Sequence, residues 1–297
     1  MFFSVMVIFA VYAVIFILFE DYDRKHNVPF EEASDWHLLI FSVIVMFGLA
    51  FLLHRYAGKM DKRISREQAE KENKMRRELT QNISHELKTP VASILGFTDT
   101  ILENENLSDA QKRLFVERAN SQAKRLTSLL HDISTLNRID FAPQMIEMIK
   151  TDVSDIVAEI VSETSLTMSK KKMTMSNCLP SSIVVNGNFT LIYSIFRNLF
   201  DNSINYAGEN TCIEIMAQES ADMWNFTFAD NGQGMDDKHL SRIFERFYRV
   251  DKGRSRKLGG TGLGLAIVKN AVMIHGGTIK AEKNHPHGII FRFSLKK

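Results

Sequence analysis

The stretch Trp224-Asn-Phe-Thr-Phe-Ala-Asp-Asn-Gly-Gln-Gly234 decides how the C-terminal half of this chain folds. Trp224, Phe226 and Phe228 alternate with smaller or polar residues, the period of a strand with one face inside. Asp230 shares their parity, so the strand ends on an inward-facing carboxylate. Such a group needs a partner, and a ligand donor such as an exocyclic amine can supply one. Asn-Gly otherwise signals a hairpin turn, but a helical stretch follows here rather than a second strand. Around this strand Met145 to Lys297 reads as α/β. Strands are expected at Met145–Ile149, Ser182–Val185, Cys212–Ala217, Trp224–Asp230, Thr278–Lys283 and Ile289–Leu295. Helices are expected at Val153–Glu163, Phe189–Tyr206, His239–Phe244 and Leu263–His275.

Two further motifs flank the strand. Downstream, Gly259-Gly-Thr-Gly-Leu-Gly-Leu265 opens a helix, and glycines before a helix N-terminus make an anion cradle. It is not a Walker A loop, because no Gly-Lys-Ser/Thr follows. It is not a dinucleotide fingerprint either, since Leu265 stands at the third glycine and no strand precedes it. Between the two lie Ile243-Phe-Glu-Arg-Phe-Tyr-Arg249 and the basic stretch Lys252 to Lys257, an arrangement suited to a lid over a polyphosphate. Upstream, Asn198 and Asn202 stand four apart on one helix face. Their amide oxygens can contribute to Mg²⁺ bound mainly through phosphates and water, although spacing alone equally describes an exposed polar stripe.

Before residue 145 the pattern is helical. Leu87, Val91, Ile94, Leu95, Ile101 and Leu102 recur at helical spacing until Asn104-Glu-Asn-Leu107 breaks it. Ser108-Asp-Ala-Gln111 is a capping-box start, and the next helix carries Leu114, Leu126, Leu129, Leu130, Ile133 and Leu136 before ending near Asp140 and Pro143. The two helices form an αα-hairpin whose apolar stripes two helices alone cannot bury, so a dimeric four-helix bundle is expected. Its first helix contains Asn82-Ile-Ser-His-Glu-Leu-Lys-Thr-Pro90. Glu86 can hold one ring nitrogen of His85 and leave the other free as a nucleophile. Thr89 lies one turn on, and Pro90 removes the hydrogen bond to the Glu86 carbonyl and bends the helix. A zinc-protease helix would need His at position 89, where Thr stands.

The N-terminal fifth differs in kind. Phe2 to Phe19 carries no charge, and at ~1.5 Å per residue it nearly crosses a ~30 Å hydrocarbon core. Leu38 to Leu53 is a second apolar run, flanked by Trp36 and Tyr56. The first run lacks the basic start and cleavage site of a secretory signal, so two transmembrane helices are expected. Six acidic residues face Arg24 and Lys25 in the intervening loop, whereas Arg55 to Arg77 carries nine basic residues. The positive-inside rule then places the loop outside and everything from Arg55 onward in the cytoplasm. Over all 297 residues the net charge is +2, so nucleic acid is not an expected partner. Cys178 and Cys212 are read as reduced thiols in a packed core.

Taken in order, these motifs resemble a bacterial transmembrane sensor histidine kinase from roughly Arg77 to Lys297. His85-Glu-Leu-Lys-Thr-Pro90 resembles the family's H-box and Asn198-Leu-Phe-Asp-Asn-Ser-Ile-Asn-Tyr206 its N-box. Asp230-Asn-Gly-Gln-Gly234, Phe244-Glu-Arg-Phe-Tyr-Arg249 and Gly260-Thr-Gly-Leu-Gly264 resemble its first glycine box, F-box and second glycine box. Ahead of that stretch, the apolar runs and charge pattern give two transmembrane helices (about 2–19 and 38–53, within 1–54, with a short outer loop 20–37) and a signalling helix over 55–78. The resemblance implies a dimerisation and phosphotransfer hairpin over 79–142 and an α/β sandwich ATP-binding domain of the Bergerat type over 145–297. It implies His85 as phosphoacceptor, Glu86 as its base and Thr89 as the residue positioning water for dephosphorylation. Asn198 and Asn202 would serve Mg²⁺, Asp230 the adenine amine, Tyr206 the nucleotide and Arg249 the γ-phosphate. Asn205, Gly232, Gly234, Gly260, Thr261, Gly262, Leu263 and Gly264 complete the implied ATP site. Asn205 stands where many members have a phosphate-contacting Lys, and Ser203 where Ala is usual.

The implied protein is a homodimer in the bacterial inner membrane, multi-pass, with a cytoplasmic catalytic part. It would pass the phosphoryl group to an Asp of a separate response regulator, since no receiver domain is expected in the chain. The linker module called HAMP does not fit the roughly 30 residues before His85, so a direct helical connection is expected. A membrane-anchored ATPase of the same nucleotide fold would not need the His-Glu-x-x-Thr-Pro hairpin, and an inactive dimeric scaffold would not need Asp230, Asn202 and both glycine boxes.

Overall fold

The computed structural model describes residues 13–14, 17–18, 20–21, 24–25, 30–251 and 260–297, without the side chains of 30–39, 61, 68, 71–73, 75–76 and 78. The expected first membrane run falls largely outside these residues, and Lys252–Lys257 with Gly259 wholly so. The chain divides into two compact units, residues 1–78 and 79–297.

Helix α1 spans Phe30–Glu103. It starts earlier than expected, so Phe30 to His37 is helical rather than loop. Ile40–Glu67 within it is long and apolar enough to cross a membrane, its apolar 18-residue window having mean hydropathy 1.8, and among the described residues it is the one such segment. The helical assignment continues through Pro90, which is buried.

Helix α2 (Asp109–Phe141) completes the hairpin. It starts where the sequence places it: the Gln111 amide donates to Ser108 Oγ at 3.4 Å, and the Ser108 amide donates to Gln111 Oε1 at 3.0 Å. The Phe97 and Phe115 rings stack 6.0 Å apart across the two helices. A 3-10 turn at Pro143–Met145 follows, so the strand expected at Met145–Ile149 is displaced to β1 (Ile149–Asp152). Pro143 opens that turn, and pairing begins only where Ile149 meets Gly187.

The remainder is an α/β sandwich of β1, α3 (Val153–Lys170), β2 (Thr174–Cys178), β3 (Val184–Gly187), α4 (Phe189–Tyr206), β4 (Cys212–Glu219), β5 (Met223–Asp230), α5 (Asp237–Leu240), α6 (Gly264–Ile274), β6 (Ile279–Lys283) and β7 (Ile289–Lys296). Five strands form one sheet in the order β2-β4-β5-β7-β6, with β2 parallel to β4 and the others antiparallel, while β1 and β3 pair separately. Strand β2 is absent from the expected set, and Cys178 at its end is exposed rather than in the core. The expected helix His239–Phe244 is a single turn, Asp237–Leu240, leading into turns.

Helix α4 forms where Asn188 accepts from the Leu191 amide at 3.1 Å, and it lays Ile192, Ile195, Phe196, Leu199 and Phe200 on the sheet. Phe196 meets Phe226 edge-on at 5.6 Å, and Phe200 meets Phe228 at 5.2 Å. These contacts set the parity of β5 and carry Asp230 inward with Phe226 and Phe228. At the far end His275 donates through Nδ1 to the Ala271 carbonyl and accepts the Asn188 amide on Nε2 at 3.0 Å. It thereby ties the end of α6 to the start of α4, and burial holds its pKa below the ordinary imidazole value.

Candidate functional site

A cavity of about 780 Å³, within the range of small-molecule sites, opens between α4, the end of β5, the N-terminus of α6 and one face of α2. It brings together Asn198, Asn202, Asn205, Tyr206, Asp230, Gly234, Arg249, Gly260, Thr261, Gly262 and Gly264. Gly232 and Leu263 stand behind that lining.

Asp230, 3% exposed, is gripped from both sides. Ser203 Oγ donates to its Oδ2 at 2.7 Å, and the Gly232 amide donates to its Oδ1 at 3.0 Å. Carboxylate oxygens accept more than one hydrogen bond each, so both retain capacity for an amine. Only glycine fits at 232, because a Cβ there would stand 2.4 Å from the Ala207 Cα. Ser203, the departure from the usual Ala, thus makes a bond that the sequence reading did not anticipate.

On α4 the Asn198 Nδ2 donates to the Ser194 carbonyl at 2.7 Å, which turns its amide oxygen toward Gly264. A Cβ at 264 would lie 2.3 Å from that oxygen, so the helix N-terminus approaches Asn198 only as glycine. Gly262 adopts φ +75°, the left-handed region that favours glycine. Leu263 is fully buried and packs with Leu129, Leu136 and Ile267 where α6 meets the hairpin.

Polar contacts tighten that meeting. Thr261 Oγ1 donates to Asp132 Oδ2 at 2.8 Å, and Arg246 pairs with Asp140 at 2.8 Å. Burial holds the Asp132 carboxyl above the ordinary range, although the Thr261 hydroxyl and His131 pull it back down. Asp132 and His131 both line the cavity, and sequence reasoning missed Asp132 because it becomes a site residue only once α2 meets α6.

His85, Glu86 and Thr89 lie on the hairpin and do not line the cavity. His85 is exposed. Thr89 Oγ1 donates to the His85 carbonyl at 3.3 Å, a bond along the helix. The Glu86 Oε2 accepts from Arg249 at 3.0 Å and from Arg125 at 3.3 Å.

These residues fit a nucleoside triphosphate with Mg²⁺. The Nε of Arg249 is buried with no hydrogen-bond partner among the described residues. A buried, unpaired guanidinium donor calls for an acceptor, and phosphate oxygens suit it. A glycine turn at the N-terminus of α6, a carboxylate for an amine and two amide oxygens on one face of α4 complete the set.

Residues 187–297 match the family Histidine kinase-, DNA gyrase B-, and HSP90-like ATPase, and residues 75–142 match the His Kinase A (phospho-acceptor) domain. The chain is 32% identical over 220 residues to the sensor-like histidine kinase SenX3 of Mycolicibacterium smegmatis, across 74% of this chain and 57% of that protein. It therefore spans little more than half the length of that relative. The structure of the histidine kinase AdeS of Acinetobacter baumannii aligns at TM-score 0.60 and 22% identity, over 71% of this chain and 97% of that one. Histidine kinase ThkA, solved in complex with the response regulator protein TrrA, aligns at TM-score 0.60 and 21% identity, over 74% of this chain and 61% of that one.

Proposed function

We propose, from the premise that this chain belongs to the sensor histidine kinases, that it transfers the γ-phosphoryl group of ATP to His85 and onward to an aspartate of a separate response regulator. One observation carries the reading. A single compact unit holds an exposed hairpin histidine together with a cavity that pairs a doubly held carboxylate with an arginine whose Nε has no hydrogen-bond partner among the described residues. The phosphoacceptor match over residues 75–142 disfavours a plain membrane-anchored ATPase.

Asp230 would accept the adenine amine, with Tyr206 and Asn205 beside the nucleotide. Gly260, Thr261, Gly262 and Gly264 would present backbone amides to the phosphates. Asn198 and Asn202 would hold Mg²⁺, which supplies positive charge to the phosphates. Arg249 would reach the γ-phosphoryl and offset its charge in a loose transition state. His85 attacks with one ring nitrogen, and Glu86 holds the proton of the other. Thr89, one turn away, would orient water toward an aspartyl phosphate docked on the hairpin, giving the reverse phosphatase activity.

The exposed apolar residues of the hairpin support a homodimer. The helix over Ile40–Glu67 supports attachment to the bilayer. With the apolar run Phe2–Phe19 it makes a multi-pass protein of the bacterial inner membrane, catalytic part inside. ThkA was solved with a response regulator, which supports a partner of that kind here.

The test is incubation of the full chain with γ-labelled ATP. Acid-labile, base-stable label is expected on the protein and is lost in His85→Gln while ATP still binds. Label persisting on histidine in that variant would move the acceptor elsewhere, with His131 at the cavity the first candidate.

A further inference from the structure

The carboxylate beside the acceptor histidine is shared. Arg249 and Arg125 both donate to the same oxygen of Glu86, and the three side chains are 6%, 11% and 14% exposed. The two arginines differ in origin. Arg125 sits on α2, in the same hairpin as Glu86, whereas Arg249 belongs to the ATP-binding domain. Two guanidinium groups converge on one largely buried carboxylate oxygen, and Arg249 Nε has no hydrogen-bond partner among the described residues.

The mechanism above, on which this inference rests, gives Glu86 and Arg249 duties in two different places. Glu86 must serve His85, and Arg249 must reach the phosphoryl group. As Arg249 turns to a phosphate oxygen, Glu86 loses its nearer partner inside a site that has little water to replace it. A second cation fixed to the hairpin solves this, because it stays with Glu86 wherever the ATP-binding domain goes.

We propose that Arg125 is a positioning residue for phosphoryl transfer, holding Glu86 beside His85 while Arg249 exchanges the carboxylate for the γ-phosphoryl. In the transfer, a bond forms between a His85 ring nitrogen and the γ-phosphorus. The bond from that phosphorus to the bridging oxygen breaks, and its electron pair leaves on ADP. The proton on the other ring nitrogen is held by Glu86, and Arg125 touches none of the reacting atoms. It also does not line the nucleotide cavity, so its effect falls on turnover and not on ATP binding.

The experiment measures initial rates of histidine labelling against ATP concentration, using the full-length chain and four variants: Arg125→Ala, Arg125→Lys, Glu86→Gln and the double variant Arg125→Ala with Glu86→Gln. Arg125→Ala should lower the maximal rate at least about tenfold and leave the KM for ATP within about twofold. Arg125→Lys should restore the rate to within about threefold, because the contact uses a single guanidinium nitrogen that an ammonium can replace. With Glu86→Gln already present, adding Arg125→Ala should change the rate less than about twofold. A rise in KM matching the loss of rate, additive losses in the double variant, or no recovery with Lys would overturn the proposal. Labelling of Glu86→Gln at the wild-type rate would instead remove Glu86 from the chemistry. An intact dependence on Glu86, beside an Arg125→Ala protein that loses nothing, would overturn the role of Arg125 alone.

Discussion

The ATP-binding domain closes its core with its own residues, whereas the hairpin leaves an apolar face open. In the former, Phe196, Phe200, Phe226, Phe228 and Phe291 are all essentially inaccessible. In the latter, Val91 is 42% exposed, Leu95 56% and Leu102 79%. These three lie within about 40° of one another on α1, since residues four and eleven apart share a helix face. One region is folded by burial within the chain, and in the proposed homodimer the other is covered by a second copy. A core substitution should therefore act at any protein concentration, and a substitution on the open face only through assembly.

The largest expected effect breaks the self-sufficient side. Phe226→Ala deletes a ring that packs edge-on against Phe196 and stacks at 5.0 Å on Phe293. Truncations of this kind cost about 3–5 kcal/mol, a large part of a domain's ~5–15 kcal/mol. ATP binding should fail, and the melting midpoint should fall by roughly 10 °C, equally in dilute and concentrated samples. A midpoint that recovers with concentration would mean that this core also depends on a partner.

Next comes the open face. Leu95→Glu forfeits about 1.5–3 kcal/mol of burial in each copy and sets two carboxylates near one another across the seam. Light scattering across a concentration series should show the dimer dissociating, with ATP affinity unchanged. An unaltered dissociation constant would place the seam on other residues.

A third test stays inside the ATP site. Asp230→Asn replaces an acceptor-only group with an amide that has one oxygen for two existing donors, the Ser203 hydroxyl and the Gly232 amide. Its NH₂ must then face a donor, either from the protein or from the adenine amine. ATP affinity should fall at least tenfold, or ~1.4 kcal/mol, with the fold retained. Calorimetry showing wild-type affinity would take Asp230 out of the adenine contact.

The same contrast explains what the sequence made legible. Strand β5 was readable because its alternation is driven by burial within the domain, and α4 because Asn188 caps it and eight of its side chains are buried. Strand β2 was not readable. Thr174-Met-Ser-Asn-Cys178 lies at the sheet edge, paired on one side only, and no fully buried position marks its period. Site residues announced by a local motif, such as Asp230, Asn202 and Gly264, do line or support the cavity. Ser203 stood within a motif, but its bond to Asp230 needs α4 to cross the end of β5. Arg125 and Asp132 belong to no motif, because their meaning arises only where α2 meets residues more than a hundred positions later or, for Arg125, the neighbouring helix.

The smallest expected effect lies at that meeting, in the part-buried hydrogen bond between Thr261 and Asp132. Burial raises the Asp132 carboxyl above the ordinary range in the folded protein. Between the unfolded value and the raised one, the folded chain therefore binds more protons. Stability contributed by this group falls as pH rises through that window and stays low above it. At pH 7 the ionised Asp132 is a net cost despite its hydrogen bond from Thr261. Asp132→Asn keeps an acceptor oxygen for that hydroxyl and removes the buried charge. The variant should be more stable than the wild type at pH 7 by about 0.5–1 kcal/mol. The difference should shrink as pH falls through the raised value toward the ordinary carboxylate range, where the wild-type residue is neutral as well. His275 runs the other way, since its lowered pKa withdraws stability as pH falls below the ordinary imidazole value. It is common to both proteins and cancels in the difference. Thermal melts of the pair between pH 7 and pH 4 measure it. A variant less stable at pH 7 would mean that the charged hydrogen bond to Thr261 outweighs burial, and that the hairpin holds the ATP-binding domain by that charge rather than in spite of it.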